Sequence, residues 1–302
     1  MKAVIIEKYG GPEVLQWRDA ADPVPSTGQV LVRMSATSVN PFDVKQRSGQ
    51  YKDYAPVVFP AILGLDVAGT VIQVGQGVSG FAPGDQVFAK ARGTYAQLCA
   101  VAASDVAKIP EGLDLVEAAA LPTVGLTAYQ LVNRDAVLKR GEIVLVTGAL
   151  GSVGRAVVFF ARTLGATVIA GVRKIQVDAA KELGANEVVA IDAPEALANL
   201  PILDKAADLV GGPTAEAVLG KMKPGGIFAT VLRAPRNAAQ FPRVKVVGVQ
   251  GAPSAAELLV VGQAVAEGKL KVPIAARFPL EQAGRAHQAL EGHATGKVLL
   301  IA

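Results

Sequence analysis

One cysteine, Cys99, and two histidines, His287 and His293, are the only thiol and imidazole groups among 302 residues. A lone thiol excludes an intramolecular disulfide framework. One Cys and two His also fall short of a four-ligand zinc site, so no metal is expected. Aromatic residues make up 5% of the chain and charged residues 19%. The 30 Lys and Arg against 26 Asp and Glu leave a net charge of +4. A pI of about 9.1 would suit a nucleic-acid binder, but the cations come singly or in pairs (Lys139-Arg140, Arg173-Lys174) and never as a stripe. With so few aromatics to stack on bases, nucleic-acid binding is not expected. Long apolar runs are missing too. The longest charge-free stretch, Val67–Gly84, holds five glycines and Pro83 and does not read as a membrane span. The start of the chain, MKAVIIEKYGGPEV, places Lys2, Glu7 and Lys8 where a signal peptide needs apolar residues. A cytoplasmic protein is the expectation.

Hydrophobic residues are nonetheless 51% of the chain, enough for substantial cores. The length suggests about two domains at roughly 100–200 residues each. Residues 1–121 read as short β segments (Ala3–Glu7, Gln29–Ala36, Val67–Val74, Gln86–Ala89, Thr94–Ala100) broken by Gly-Gly-Pro, Pro-Ser-Thr-Gly and Pro-Gly-Asp. That rhythm predicts a small, mostly antiparallel barrel. From residue 122 it changes. Ile143–Val146 is a continuous apolar run, as in a strand buried on both faces. Helical Arg155–Leu164, strand Thr167–Ala170, helical Gln176–Leu183 and strand Glu187–Ile191 follow. This alternation predicts a doubly wound parallel α/β sheet. Later strands are predicted at Ala207–Val210, Ile227–Val231 and Val244–Val249, with a helix at Thr214–Met222. Helices are predicted at Ala255–Glu267 and Pro279–Glu291, with Lys297–Ile301 as a last strand returning to the first domain. The expected division is 1–121 and 257–302 against 122–256.

The sharpest local signal is Val144-Leu-Val-Thr-Gly-Ala-Leu-Gly-Ser-Val-Gly154-Arg, lying between a predicted strand and a predicted helix. It matches G-x-G-x-x-G with Ala149 in the first position and Gly148 just before it. Gly151 lets the backbone approach a pyrophosphate, and Gly154 lets the helix pack on the strand. The N–H groups of Ser152, Val153 and Gly154 are then free to meet the anion. A dinucleotide site of the NAD type carries Asp or Glu at the end of the second strand. Here Gly171 stands there, followed by Arg173 and Lys174. A cation pair suits a ribose 2′-phosphate, so NADPH is the expected cofactor. Gly211 and Gly212 follow a predicted strand at its C-terminal end, where ligands of such sheets bind.

Other segments carry a resemblance that runs nearly end to end. They include Gly10-Gly-Pro-Glu-Val-Leu, Val39-Asn-Pro-Phe-Asp-Val-Lys-Gln-Arg-Ser-Gly49, Gly64-x-Asp66-x-x-Gly69-x-Val71 and Gly80-Phe-x-Pro-Gly-Asp-Gln-Val87. Gly93-Thr-Tyr-Ala-Gln97, Gly125-Leu-Thr-Ala-Tyr129, Asp208-x-Val-Gly-Gly212 and Gly296-Lys-Val-Leu-Leu300 complete the set. Together they resemble the zinc-independent quinone oxidoreductase branch of the medium-chain dehydrogenase/reductase superfamily. Zinc-dependent members carry an early Cys and a Gly-His-Glu; the matching segments here hold Asn40 and Gly64-Leu65-Asp66.

The resemblance implies a Rossmann domain beside a discontinuous GroES-like substrate domain. It implies NADPH-dependent hydride transfer to a small-molecule acceptor, a quinone. The alternatives are an enone or enal double-bond reductase of the same fold, or a non-catalytic NADPH-binding protein. It places Asn40 and Asp43 on a loop lining the cleft near the nicotinamide, although Asn before Pro with Asp three on is also good turn chemistry. Tyr51 is implied over the substrate, where a phenol donates to a developing oxyanion. Thr127 is implied toward the nicotinamide half, and Gly296 and Lys297 at a C-terminal cofactor-side turn, with a solvated edge-strand cation as the other reading of Lys297. Asp66 reads as structural, His287 as a packed or surface helix residue, and Cys99 as a small core residue. A homodimer through the edge strand Val244–Val249 is expected.

Overall fold

The computed structural model describes residues 1–292 and 295–302; His293 lies outside them. The chain divides into two compact units, Met1–Leu126 with Pro253–Ala302, and Thr127–Ala252. It opens with β1 (Lys2–Ile6), β2 (Gln16–Asp19), β3 (Gln29–Val39), α1 (Pro41–Arg47) and β4 (Ala61–Ile62). Next come β5 (Asp66–Val74), β6 (Gln86–Lys90), β7 (Leu98–Ala102) and β8 (Val106–Lys108). After α2 (Pro122–Gln130) follow β9 (Ile143–Thr147), α3 (Ser152–Leu164), β10 (Thr167–Val172), α4 (Val177–Ala180), β11 (Glu187–Ala190) and α5 (Pro194–Ala198). Then come β12 (Leu203–Asp208), α6 (Gly212–Leu219), β13 (Met222–Thr230) and β14 (Lys245–Gly248). The chain ends with α7 (Ala255–Ala266), β15 (Ile274–Pro279), α8 (Ala283–Glu291) and β16 (Lys297–Ile301).

The first unit has a small sheet, β2-β1-β4, and a seven-stranded sheet in the order β15-β16-β3-β5-β6-β8, with β7 also on β3. Every pairing is antiparallel except β15 with β16. The long strand β3 organises this sheet because it pairs with β5, β7 and β16. Its Val30, Leu31, Val32 and Met34 are buried while Arg33 faces solvent. In the second unit six parallel strands run in the order β11-β10-β9-β12-β13-β14. Counted within the unit this is 3-2-1-4-5-6, the dinucleotide-binding arrangement. Central β9 buries Val144, Leu145, Val146 and Thr147 on both faces, as its apolar run predicts.

Several elements lie elsewhere than the sequence suggests. The segment at 94–96 precedes its strand: Thr94, Tyr95 and Ala96 are fully buried, and Tyr95 bonds through its backbone to Leu63 and Val4. β12 spans Leu203–Asp208 instead of beginning at Ala207; Asp204, Lys205 and Asp208 hide its apolar character, and Lys205 is buried against Glu142 at 3.8 Å. The single helix expected at 176–183 is a short α turn between two 3-10 turns. Residues 274–279 form an edge strand of alternating burial, so the helix expected from Pro279 starts at Ala283. Residues 41–47 form a helix rather than an open loop. β16 lies between β15 and β3 and Lys297 is buried; it is no solvated edge cation.

Candidate active site

The second unit holds an anion cradle. α3 begins at Ser152, three residues earlier than its periodicity predicts, with Gly151 as the capping residue. Ser152, Val153 and Gly154 supply the first-turn N–H donors that no helix satisfies internally. Gly148 adopts φ +65°, a conformation open to glycine at little cost. A Cβ at Gly154 would fall on the Gly148 carbonyl oxygen, so any larger residue there forces helix and turn apart. Donors, helix dipole and close packing thus converge on one turn, which is what a pyrophosphate requires.

A buried carboxylate braces this cradle. Asp208 is fully buried and ends β12. Its Oδ1 accepts from Thr147 Oγ1 at 3.0 Å, from the Gly211 N–H at 2.9 Å and from the Val210 N–H at 3.3 Å. Its Oδ2 accepts from Thr230 Oγ1 at 2.8 Å. The Thr147 and Thr230 hydroxyls accept in turn from the Leu209 and Leu232 N–H groups. One side chain therefore ties together the C-terminal ends of β9, β12 and β13. It also fixes the Gly211 turn, where φ is +74° at Gly211 and +58° at Gly212. The Asp-x-Val-Gly-Gly motif contains this residue, yet only the glycines were singled out from sequence.

At the end of β10 a Cβ on Gly171 would lie 2.7 Å from Ile191 Cγ2, so the position that carries an acid in NAD sites takes no side chain here. Arg173 is exposed, with its Nε 3.4 Å from Gln176 Oε1. The Lys174 backbone N–H donates to Asp192 at 2.7 Å and leaves its ammonium exposed. Thr127 is buried beside Gly251, where a Cβ would come 2.6 Å from its hydroxyl.

The first unit holds a chain of buried polar groups centred on Asn40, the capping residue of α1. The Asn40 backbone N–H donates to Asp43 Oδ2 at 2.8 Å. Its side-chain Nδ2 donates to Asp66 Oδ2 at 2.8 Å, and its Oδ1 accepts from Lys297 Nζ at 2.6 Å. A lysine ammonium only donates, so the amide orientation follows from the partners. Asp66 also accepts from the Ser38 hydroxyl and from the Thr123 N–H at 2.7 Å. Lys297 sits at 3.7 Å from Asp66, and burial lowers its pKa against the opposing pull of Asp66 and Asp43.

From Asp43 the chain of bonds continues away from Asn40. Tyr95 Oη donates to Asp43 Oδ2 at 3.1 Å and lies 3.1 Å from His287 Nε2. Arg47 Nη1 is 3.3 Å from His287 Nδ1. Arginine cannot accept, so Nδ1 is the acceptor and Nε2 carries the imidazole hydrogen. All donors then point one way, from Arg47 through His287 and Tyr95 to Asp43. Arg47 is anchored by a fork on Glu291, at 2.7 and 3.4 Å. Burial, then the Arg47 charge, holds His287 down to about 3. Asp43 is fully buried and its Oδ1 has no hydrogen-bond partner among the described residues. Burial accordingly pushes it up to about 7 against the Asn40 N–H that favours its charge, with Asp66 adding to the rise and Lys297 and Tyr95 opposing it. Asp43 is thus enclosed, and its carboxylate braces the backbone of Asn40.

Tyr51 stands apart from this network. Its ring packs against Phe42 and Tyr54, each at 5.5 Å, and its hydroxyl accepts from Lys45 Nζ at 3.2 Å. Its own O–H remains to donate. Gly296 has φ +131°, and a Cβ there would lie 2.6 Å from the Pro273 carbonyl oxygen, so this glycine lets β16 enter the sheet with Lys297 buried. Cys99 is buried and its thiol is pushed up to about 12 by burial, which makes it an inert core residue.

A parallel sheet with a dinucleotide turn and a discontinuous antiparallel unit define a two-domain nicotinamide oxidoreductase of the medium-chain dehydrogenase/reductase class. Residues 26–111 match the family "Alcohol dehydrogenase GroES-like domain", and residues 183–300 match "Zinc-binding dehydrogenase". Human quinone oxidoreductase is 32% identical, covering 100% of this chain and 98% of that protein. The chloroplast envelope quinone oxidoreductase homolog of Arabidopsis thaliana is 32% identical over 99% of this chain and 98% of its own. The 2-haloacrylate reductase of a Burkholderia species is 30% identical, with coverage of 99% and 98%. The solved quinone oxidoreductase of Escherichia coli, complexed with NADPH, has a TM-score of 0.89 at 28% identity, each chain covered 100%. The chain belongs to the quinone oxidoreductase family. Among the described residues no three His, Cys, Asp or Glu side chains come together to hold a metal ion.

Proposed function

We propose that the protein is an NADPH-dependent reductase of a quinone, working without zinc. The observation that carries this is the turn in which Gly154 packs on Gly148 beneath the first-turn donors of α3, joined to a second strand that ends Gly171-Val172 and is followed at once by Arg173 and Lys174. The cradle fits a pyrophosphate, and the cations fit a 2′-phosphate, Arg173 in a bidentate clasp and Lys174 as a point charge. Thr127, Gly211 and Gly212 lie in the same unit as this turn, and we assign them to the cofactor as well. When bound, NADPH supplies the hydride.

The second amide hydrogen of Asn40 is the donor we assign to the acceptor oxygen, since Asp66 takes only the first. The Tyr51 O–H, polarised by Lys45, is a further donor for an oxygen that gains negative charge. Asp43 serves as a positioning residue. A quinone spreads incoming charge onto oxygen, so two such donors suffice and the proton can come from water. Reduction of a conjugated double bond is the second reading; the relative named for 2-haloacrylate favours it, because an acrylate is itself a conjugated acceptor.

Loss of NADPH absorbance, followed beside a quinone and beside a conjugated ketone with product analysis, separates the two readings. Binding without turnover on either would leave only a cofactor-binding protein. NADPH is expected to bind one to two decades more tightly than NADH, because a charge-assisted bond contributes about 1.5–3 kcal/mol. Arg173→Ala should narrow that gap; equal Kd values in the wild type would overturn the cofactor assignment.

For the assembly we propose a homodimer through β14. The strand is the last of its sheet and pairs only with β13 among the described residues. Val246 and Val247 are only half-buried on it, and two identical edges can close by two-fold pairing. Light scattering should then give twice the 31.0 kDa chain mass; a particle that keeps the chain mass at tens of micromolar refutes it.

A further inference from the structure

We infer that Lys297 is a positioning residue for the reaction: its buried ammonium, bonded to the Asn40 carbonyl oxygen, locks the amide so that one Nδ2 hydrogen goes to Asp66 and the other is presented to the acceptor. This rests on the reading of Asn40 as a donor to the acceptor. An isolated amide can rotate by half a turn at little cost in shape, exchanging a donor for an acceptor. Two partners of opposite kind forbid that here. Lys297 Nζ, at 2.6 Å, can only donate to Oδ1, and the Asp66 carboxylate, at 2.8 Å, accepts from Nδ2. Flipped, the amide would set NH2 against NH3⁺ and oxygen against carboxylate.

The surroundings show that Lys297 is placed for this contact. It is 4% exposed, lies on the interior strand β16, and among the described residues its other bonded partners are the Val39 carbonyl oxygen at 3.4 Å and Asp66 at 3.7 Å. Gly296, whose φ of +131° admits no ordinary side chain beside the Pro273 carbonyl, brings the strand into this register. Burying a long ammonium costs free energy unless its partners hold it charged. Asp66, with no solvent exposure, is that counter-charge. A leucine or methionine would fill the volume without this cost, so the retained charge is best explained by the Asn40 carbonyl it faces.

The test is a double-mutant cycle on kcat with Lys297→Met and Asn40→Ala, each variant checked for a cooperative melt. Lys297→Met should lower kcat by about tenfold or more, on the order of losing one positioned donor, while KM for NADPH stays near the wild-type value. In the Asn40→Ala background the same change should cost kcat almost nothing further, because Lys297 acts through Asn40. Additive losses, or an equal rise in KM with kcat intact, would mean a structural or cofactor role and overturn the proposal. Asn40→Ala with full kcat would instead overturn the donor reading itself. If Lys297→Met does not fold, Lys297→Leu, which also removes the donor, replaces it in the cycle. The wild type carries an independent readout. The Asn40 side-chain nitrogen resonance should shift with the midpoint at which the Lys297 Cε resonance titrates, and an Asn40 signal indifferent to that titration refutes the coupling whatever the variants do.

Discussion

Asp208→Asn is expected to lower both stability and cofactor affinity, although it changes a single atom of a residue that needs no contact with the cofactor. The carboxylate accepts four bonds, from two hydroxyls and two backbone N–H groups. An asparagine offers one oxygen and an NH2 group in their place. If the oxygen stays toward Gly211 and Thr147, the NH2 faces Thr230 Oγ1, which already accepts from the Leu232 N–H. If the amide turns the other way, the NH2 meets two N–H donors. Either arrangement leaves a buried donor unmatched, at about 1–3 kcal/mol for each such group. Asp208→Leu strands all four donors and should cost more, on the order of 3–5 kcal/mol, as for other broken buried charge networks. Urea denaturation reads the loss as a lower midpoint at constant m. NADPH affinity should fall as well, since the Gly211 turn is held by Asp208 and the last residue of β9, just before Gly148, is tied to it through Thr147. A midpoint unchanged in Asp208→Asn would show that the carboxylate is not the brace.

What could be read in advance follows from how local each signal is. The cradle at 148–154 is a contiguous string whose spacing encodes its own geometry, so Gly151 and Gly154 were legible with the donors they expose. The absence of an acid at Gly171 was equally plain. The Asn40 network was not, because its members come from six places in the chain and meet only when β16 and α8 fold onto β3 and α1. Tyr95 passed for a strand residue and His287 for a packed helix residue, and nothing local to either marks the bond each makes to the other. Asp208 and Asp66 carried a usable signal: an acid at the end of a buried strand must be met by donors. The start of β12 was missed because Asp204 and Lys205 interrupt the apolar pattern ahead of Ala206, although Lys205 is buried.

The two titrating members of that network should leave a signature in stability against pH, with opposite signs in two variants. His287 is held down to about 3 in the folded protein, from an ordinary 6.5. Between those values the unfolded chain binds a proton that the folded chain refuses, so this group makes stability rise with pH up to 6.5 and withdraws it as pH falls toward 3. Asp43 is displaced the other way, up to about 7 from 3.8. Here the folded protein holds the proton and the unfolded chain releases it, so stability falls as pH rises through that window. Burial is the physical reason: ionised, Oδ1 would be a buried anionic oxygen with no donor among the described residues. From about pH 4 to 6.5 the two dependences oppose each other, each with a slope of at most about 1.4 kcal/mol per pH unit. Asp43→Asn removes the falling component, and relative to the wild type its stability should climb with pH over this range. His287→Gln removes the rising component and should descend relative to the wild type. Chemical denaturation of the three proteins at half-unit pH steps isolates these differences, because the remaining carboxylates contribute alike to all three. Parallel profiles would mean that neither group is held away from its ordinary titration, and with that the directed chain from Arg47 to Asp43 would lose its footing.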